Sequence, residues 1–174
     1  LFLVLLTITP TPGVADNFIA GADFSLLPFF ESNGIAYKSN GQTQDALTIL
    51  KDRGVNCIRL RLFTSSAAQA QTDPYNYINN LDYTVPLAVR VKNAGLKFLL
   101  DFHYSDDWAD PGHQWTPRAW AKMSHAELTQ ATFAYTRDTI AACRKAHVMP
   151  EMVQVGNEGT AGMMWPDGKL PANW

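Results

Sequence analysis

Three times along the chain a helix-patterned segment stops at a glycine or just before a proline, and a short apolar strand follows. Gln44 to Arg53 carries Leu47 and Leu50 inward and stops at Gly54, ahead of Cys57-Ile58-Arg59-Leu60-Arg61-Leu62. Thr84 to Ala94 groups Val85, Ala88 and Val89 and stops at Gly95, ahead of Leu96 to Phe102. Pro86 is expected in that helix's first turn, where no amide is needed. A third helix begins at Ser124, with Glu127 three residues on as in a capping box, and carries Leu128, Ala131, Tyr135 and Ala142 at helical spacing. Pro150 and the strand Met152-Val153-Gln154-Val155 follow, and an earlier strand, about Asn17 to Asp23, opens the series. Glycine suits the left-handed position that ends helices. Strands alternating with helices of this length indicate βαβ units around a parallel sheet. Four strands and three helices are half of what a (β/α)₈ barrel needs, and such a barrel takes roughly 250 residues. The α/β pattern therefore fits a (β/α)₈ TIM barrel truncated to about its first four strands, with residues 16–174 as its N-terminal half. A small doubly wound sheet is the alternative, but no Gly-rich phosphate loop follows the first strand.

The strand ends carry the chemistry. Each strand is apolar in its body and polar where it finishes: Asp23 in the first, Arg59 and Arg61 in the second, Asp101 and His103 in the third, Asn157 and Glu158 in the fourth. In parallel α/β folds those ends lie side by side on the face that holds the active site. The loop after the third strand, Tyr104 to Trp115, mixes aromatics with carboxylates, amides and imidazole. Carbohydrate sites need that mixture: a flat apolar surface for the C–H face of a pyranose and polar groups for its hydroxyls. Asp101, His103, Asp106, Asp110 and His113 are also residue types that hold Zn²⁺. Asp101 and Asp106 look embedded in the structure, however, and no second histidine cluster supports them, so neither a catalytic metal nor any other cofactor is expected. There is no GxSxG elbow, and neither cysteine has a polar setting.

Composition narrows the class further. Hydrophobic residues make up 47% and charged residues 17%, a globular balance. A formal net charge of −2 without a basic run argues against a nucleic-acid partner. Leu1 to Ile8 is apolar but too short to span a bilayer. With the break at Thr9 to Gly13 and a small residue at Ala15, residues 1–15 read as part of a signal peptide, which predicts a secreted protein with no membrane partner after cleavage. Cys57 and Cys143 lack metal-ligand spacing and are expected to be buried free thiols.

The motifs Gly21-Ala22-Asp23-Phe24-Ser25, Arg59-Leu60-Arg61-Leu62, Asp101-Phe102-His103-Tyr104-Ser105-Asp106, Trp108-Ala109-Asp110-Pro111 and Gln154-Val155-Gly156-Asn157-Glu158, followed by Gly162, Trp165-Pro166 and Gly168, resemble the arabinogalactan endo-β-1,4-galactanases of glycoside hydrolase family 53. The resemblance runs from about Ile19 to Gly168. It implies a retaining (β/α)₈ endo-glycosidase acting on β-1,4-galactan. Glu158 would be the acid/base, Asn157 would bind the hydroxyl next to the reacting carbon, Arg59 would support the nucleophile, and His103 would line the same subsite. Trp108 and Trp165 look like sugar platforms, with Asp23 and Asp106 further substrate contacts. Gly159, Phe63 and Asp107 depart from the family's usual residues.

The nucleophile is a glutamate at the end of strand seven in that family, so the 174-residue piece alone is expected to be inactive. A retaining mechanism needs two carboxyls roughly 5–5.5 Å apart. Glu158 would protonate the leaving oxygen and then deprotonate the attacking water. Two other readings stand beside this one: a non-catalytic carbohydrate-binding protein, and a related barrel glycanase acting on another β-linked polysaccharide.

Overall fold

The computed structural model describes residues 18–173, so the expected signal segment, residues 1–15, lies outside the described residues. Four parallel strands, β1 (Gly21–Asp23), β2 (Cys57–Leu62), β3 (Lys97–Phe102) and β4 (Met152–Val155), pair in sequence order. The crossovers carry the helices α1 (Ala46–Asp52), α2 (Leu81–Asn93) and α3 (His125–Lys145). A doubly wound sheet reverses its strand order at a switch point. These four strands do not, and the arrangement is that of the first four strands of a (β/α)₈ barrel.

Alternation along the strands separates two environments. Ile58, Leu60 and Leu62 of β2 and Phe98, Leu100 and Phe102 of β3 are almost fully buried, packed with Leu47, Leu87 and Val91 of the covering helices. The residues between them, Arg59 and Arg61 of β2 and Leu99 and Asp101 of β3, alternate to the opposite face. Strand register puts Asp23 beside Arg59, Arg61 beside Asp101, and Asp101 beside Gln154. One face is thus an apolar layer under the helices, and the other becomes a polar row toward the C-terminal ends of the strands, above Leu99 and Met152.

Local signals explain the helix ends. Ser124 caps α3 in a capping box with Glu127, as expected. Helix α2 begins three residues before the expected Thr84, because the Asn80 side chain accepts the Tyr83 amide at 3.2 Å. Pro86 therefore lies inside the helix, not in its first turn, and cannot donate to the carbonyl four residues back. Two short hairpins, residues 38–43 and 162–169, lie outside the helix–strand repeat; the first turns at Asn40-Gly41, both left-handed at φ 51° and 77°, the pair that two-residue hairpin turns favour. Cys57 and Cys143 are buried free thiols, and burial pushes both thiols above their ordinary value.

Ion pairs lock the helix layer from outside. Arg90 of α2 grips Glu31, with Nη2 2.8 Å from Oε1, and also Asp45, the N-cap of α1. Lys92 pairs with Glu151, whose other oxygen accepts the Phe98 amide at 3.0 Å. Burial pushes the Asp45 carboxyl up, but hydrogen bonds from Arg90 and Thr48 outweigh it, leaving the group below its ordinary value. Burial likewise opposes Lys92 and the Phe98 amide at Glu151, and again the net shift is downward.

A carboxyl depressed in the folded state adds stability above its unfolded pKa, near 4, which is lost as pH falls through its folded value. Melting temperature should therefore decline as pH drops from about 5 to 3. The Asp45→Asn/Glu151→Gln double variant should be less stable at pH 6 and show a shallower decline. Equal slopes for parent and variant, measured by calorimetry across that range, would remove these two groups from the account.

Candidate active site

Arg59 joins the strand ends. Its Nη1 donates to Asp23 Oδ2 at 2.6 Å, and its Nη2 donates to Asn157 Oδ1 at 2.7 Å and to Asp101 Oδ2. One guanidinium on β2 thus touches residues from β1, from β3 and from the end of β4. Arg61 Nε adds a second contact to Asp23 Oδ2 at 3.0 Å, and Asp23 Oδ1 accepts the Ser25 hydroxyl at 2.8 Å. Two arginines and two aspartates balance in charge. That balance is required, because Asp101 is wholly buried and an unpaired ion there would cost several kcal/mol, on the order of 5.

His103 stacks edge-on against Phe63, with ring centroids 4.9 Å apart. Its Nδ1 accepts the Ala109 amide at 3.0 Å, which puts the proton of a neutral ring on Nε2. That Nε2 lies 2.8 Å from Asp101 Oδ2, out of line for a good hydrogen bond. Among the described residues Nε2 and Asp101 Oδ1 have no hydrogen-bond partner, though both are buried. Unsatisfied buried polar atoms are rare and call for a reason. Here both belong to the polar row at the strand ends.

The chain turns sharply after β4. Gly156 is left-handed at φ 85°, and a Cβ there would sit 2.1 Å from Met163 Sδ. A side chain there would require both a strained left-handed backbone and a displaced Met163, and glycine avoids the two. The turn sends Asn157 inward, where it is 4% exposed. Its Oδ1 accepts from Arg59 and from Gln154 Nε2 at 3.2 Å, and its Nδ2 donates one of two N–H groups to Ala109 O at 2.7 Å. Glu158 follows at φ 50°, a left-handed position costing a non-glycine residue roughly 1 kcal/mol, and is exposed. Gly159 packs on the same hairpin, where a Cβ would come 3.1 Å from Met163 Cγ.

Trp108 is 48% exposed, and the Arg61 guanidinium carbon lies 3.7 Å from its ring centroid. The stack covers one indole face. Burial holds the Arg61 pKa below its ordinary value against the pull of Asp23, which still leaves a cation at neutral pH.

Two expected contacts are placed differently. The Asp106 carboxylate is fully engaged by protein: Oδ1 accepts Thr64 Oγ1 at 2.8 Å, while Oδ2 accepts Gln69 Nε2 at 2.9 Å and the Arg118 amide at 3.0 Å. Those bonds tie the connection after β2 to the long connection after β3 and leave little for a substrate. Trp165 is only 7% exposed, its Nε1 donates to Ala161 O at 2.9 Å, and the Trp115 ring meets it at 88°. It braces its neighbours and is not an open platform. Asp23, expected to touch substrate, is held by Arg59 and Arg61 with 23% of its side chain exposed. Arg59, His103, Asn157, Glu158 and Trp108 are brought to one end of the sheet as expected. Asp110 and His113 pair with each other on the exposed loop at 2.9 Å, apart from Asp101 and His103. The hub role of Asp101, and Gln114, whose Nε2 donates to Asn157 O at 2.6 Å, escaped the sequence reading. The only signal for Gln114 was its place in the long aromatic loop.

Asp101→Asn should remove the buried ion pair and leave Arg59 undercompensated, a cost of about 3–5 kcal/mol. Urea unfolding of the parent and the variant measures it. A difference under about 1 kcal/mol would mean that the row does not depend on Asp101.

Residues 19–174 match the family model described as glycosyl hydrolase family 53. The chain is 47% identical over 156 residues to an "Uncharacterized protein in bgaB 5'region" of Niallia circulans, covering 89% of this chain and 40% of that protein. It is 40% identical over 158 residues to the arabinogalactan endo-beta-1,4-galactanase of Cellvibrio japonicus, with coverage of 89% and 40%. Superposition on the Ignisphaera aggregans GH53 catalytic domain gives a TM-score of 0.84 at 41% identity, over 97% of this chain and 47% of that one. The chain thus spans less than half the length of these relatives. On the family match, the shared fold and the motif order, it belongs to glycosyl hydrolase family 53.

Proposed function

We propose that this chain carries the acid/base half of an endo-β-1,4-galactanase active site, with Glu158 as the proton donor. The observation that supports it most is the contrast between Glu158 and its base. Glu158 is exposed at the end of β4, while the adjacent Asn157 is buried and bound to Arg59, Gln154, Gln114 and Ala109. A carboxyl held on a rigid base and open above it suits a group that must meet a glycosidic oxygen in one geometry.

In the first step Glu158 would give its proton to the departing oxygen while a second carboxylate, elsewhere in the barrel, attacks the anomeric carbon. In the second step Glu158 would take a proton from water, which displaces the enzyme carboxylate. The remaining N–H of Asn157 Nδ2 is available to a hydroxyl of the reacting sugar. Trp108, with one face on Arg61, offers the other to a neighbouring ring. His103 and Arg59 would line and charge the floor of the same subsite. The polysaccharide substrate is proposed by analogy with the galactanases that the chain resembles.

Export from the cell is part of this reading, since a polymer of this size is met outside. The apolar run Leu1 to Ile8 and the break at Thr9 to Gly13 support it. Among the described residues no helix is long and apolar enough to cross a membrane.

In the full-length protein Glu158→Gln should slow galactan hydrolysis by about 10²–10⁴. An aryl galactoside with an acidic leaving group needs less proton assistance, so its first step should suffer less. Reducing-sugar release and aryl-alcohol release measure the two. If the variant cleaves galactan at the parental rate, Glu158 is not the acid.

A further inference from the structure

Trp115 is a large apolar side chain that the site described above does not use. It is 52% exposed, though its backbone is firmly held. The Trp165 amide donates to Gln114 O at 2.6 Å, and the Thr116 amide donates to Trp165 O at 3.2 Å, so bonds bracket residue 115 on both sides. Its ring meets the buried Trp165 nearly perpendicularly, with centroids 5.6 Å apart. Trp165 is itself fixed by its bond to Ala161 O and by Lys169, whose Nζ lies 4.4 Å from the ring centroid. An edge-to-face pair covers at most one face of each ring. Trp115 is therefore a braced indole with a face left to solvent, and a rigid aromatic loses little conformational entropy on binding.

Its position relates it to the cleavage point. Gln114, one residue earlier, donates to the carbonyl of the peptide joining Asn157 to Glu158. Beside it on the same loop, Asp110 and His113 form an exposed pair, with His113 Nδ1 2.9 Å from the carboxylate. The hydrogen bond from His113, helped by the Gly112 amide, holds the Asp110 carboxyl below its ordinary value, so it is an ionised acceptor at neutral pH. A flat apolar face on the same loop as an exposed carboxylate and imidazole supplies the two kinds of group that a pyranose ring asks for. Packing against Trp165 would by itself explain the contact between the rings, but not why half of Trp115 stays in water.

We propose that Trp115 is a second sugar platform, distinct from Trp108, that holds a ring of a β-linked polysaccharide away from the bond being cleaved, with Asp110 and His113 meeting its hydroxyls. This rests on the reading of the site as a glycan cleft. Trp115 acts on affinity and takes no part in bond cleavage.

The test uses the full-length protein in two formats. In kinetics on β-1,4-galactan, Trp115→Ala should raise KM roughly ten-fold with kcat within about two-fold, a loss of one stacking contact. In native gels containing galactan, the Glu158→Gln protein should be retarded, and adding Trp115→Ala should abolish most of the retardation. Trp115→Leu, which keeps apolar bulk for Trp165 but offers no flat ring, should bind as weakly as the alanine variant. Parental KM and retardation in the leucine variant would overturn the platform, as would a lowered melting temperature with unchanged affinity in the alanine variant. If the parent ignores galactan but is retarded by another β-linked polymer, and Trp115→Ala removes that, the platform stands and the galactanase reading falls. If no β-linked polymer retards the parent, the platform falls as well.

Discussion

The Arg59 guanidinium is the one group on which the site's geometry depends. Three parallel strands present it with partners: Asp23 from β1, Asp101 from β3 and Asn157 from the turn after β4. Backbone pairing alone sets strand register but leaves the ends free to splay, because each ladder stops where its strand stops. A planar fork with five N–H donors spans the ends and fixes their spacing. Lysine could not do this, since a single ammonium has no fixed angular relation among its partners. The cost is desolvation of the whole cluster, which the paired aspartates offset.

This explains how the sheet can be polar on one face without failing to fold. In an ordinary parallel sheet both faces are covered by helices and both are apolar. Here the helix layer takes Ile58, Leu60 and Leu62 of β2, while Cys57, Arg59 and Arg61 alternate with them. A closed barrel provides an interior row where such charges can meet one another. Charge inside the strands is therefore part of the architecture and not a defect in it.

Much of this was legible in the sequence. Helix stops at Gly54 and Gly95, the capping box at Ser124 and the alternating strand bodies are local patterns, and local patterns are read without knowing the fold. The polar strand ends were legible for the same reason: parallel topology makes them neighbours whatever their separation in the chain. What was not legible depends on partners. Asp106 looks like a substrate contact in the string because it is an aspartate in an aromatic loop. Its three hydrogen bonds come from residues 64, 69 and 118, which no local pattern ties to it. Trp165 and Trp115 are the same residue type in similar loops, and only tertiary packing decides that the first is buried and the second open. Pro86 lies deeper in its helix than the apolar spacing implies, because the Asn80 cap starts the helix at Leu81.

The contrast between Asn157 and Glu158 shows how these levels combine. Gly156 takes its left-handed conformation without steric cost and leaves room for the Met163 side chain, and the hairpin that carries Met163 also carries Trp165. That hairpin hydrogen-bonds the loop at Gln114, and Gln114 in turn holds the Asn157 carbonyl. The position of Glu158 is thus set from two directions: from below by the arginine cluster acting on Asn157, and from the side by a loop pinned through Gln114. Neither constraint contacts the Glu158 carboxylate itself. Restraint falls on the backbone and freedom on the carboxyl, the division of labour that the proposed acid/base role would need, since the same group would release a proton to one oxygen and take one back from another. The loop that immobilises the turn is also the one that presents Trp115, so a sugar ring bound there would lie on the element that positions the proposed acid.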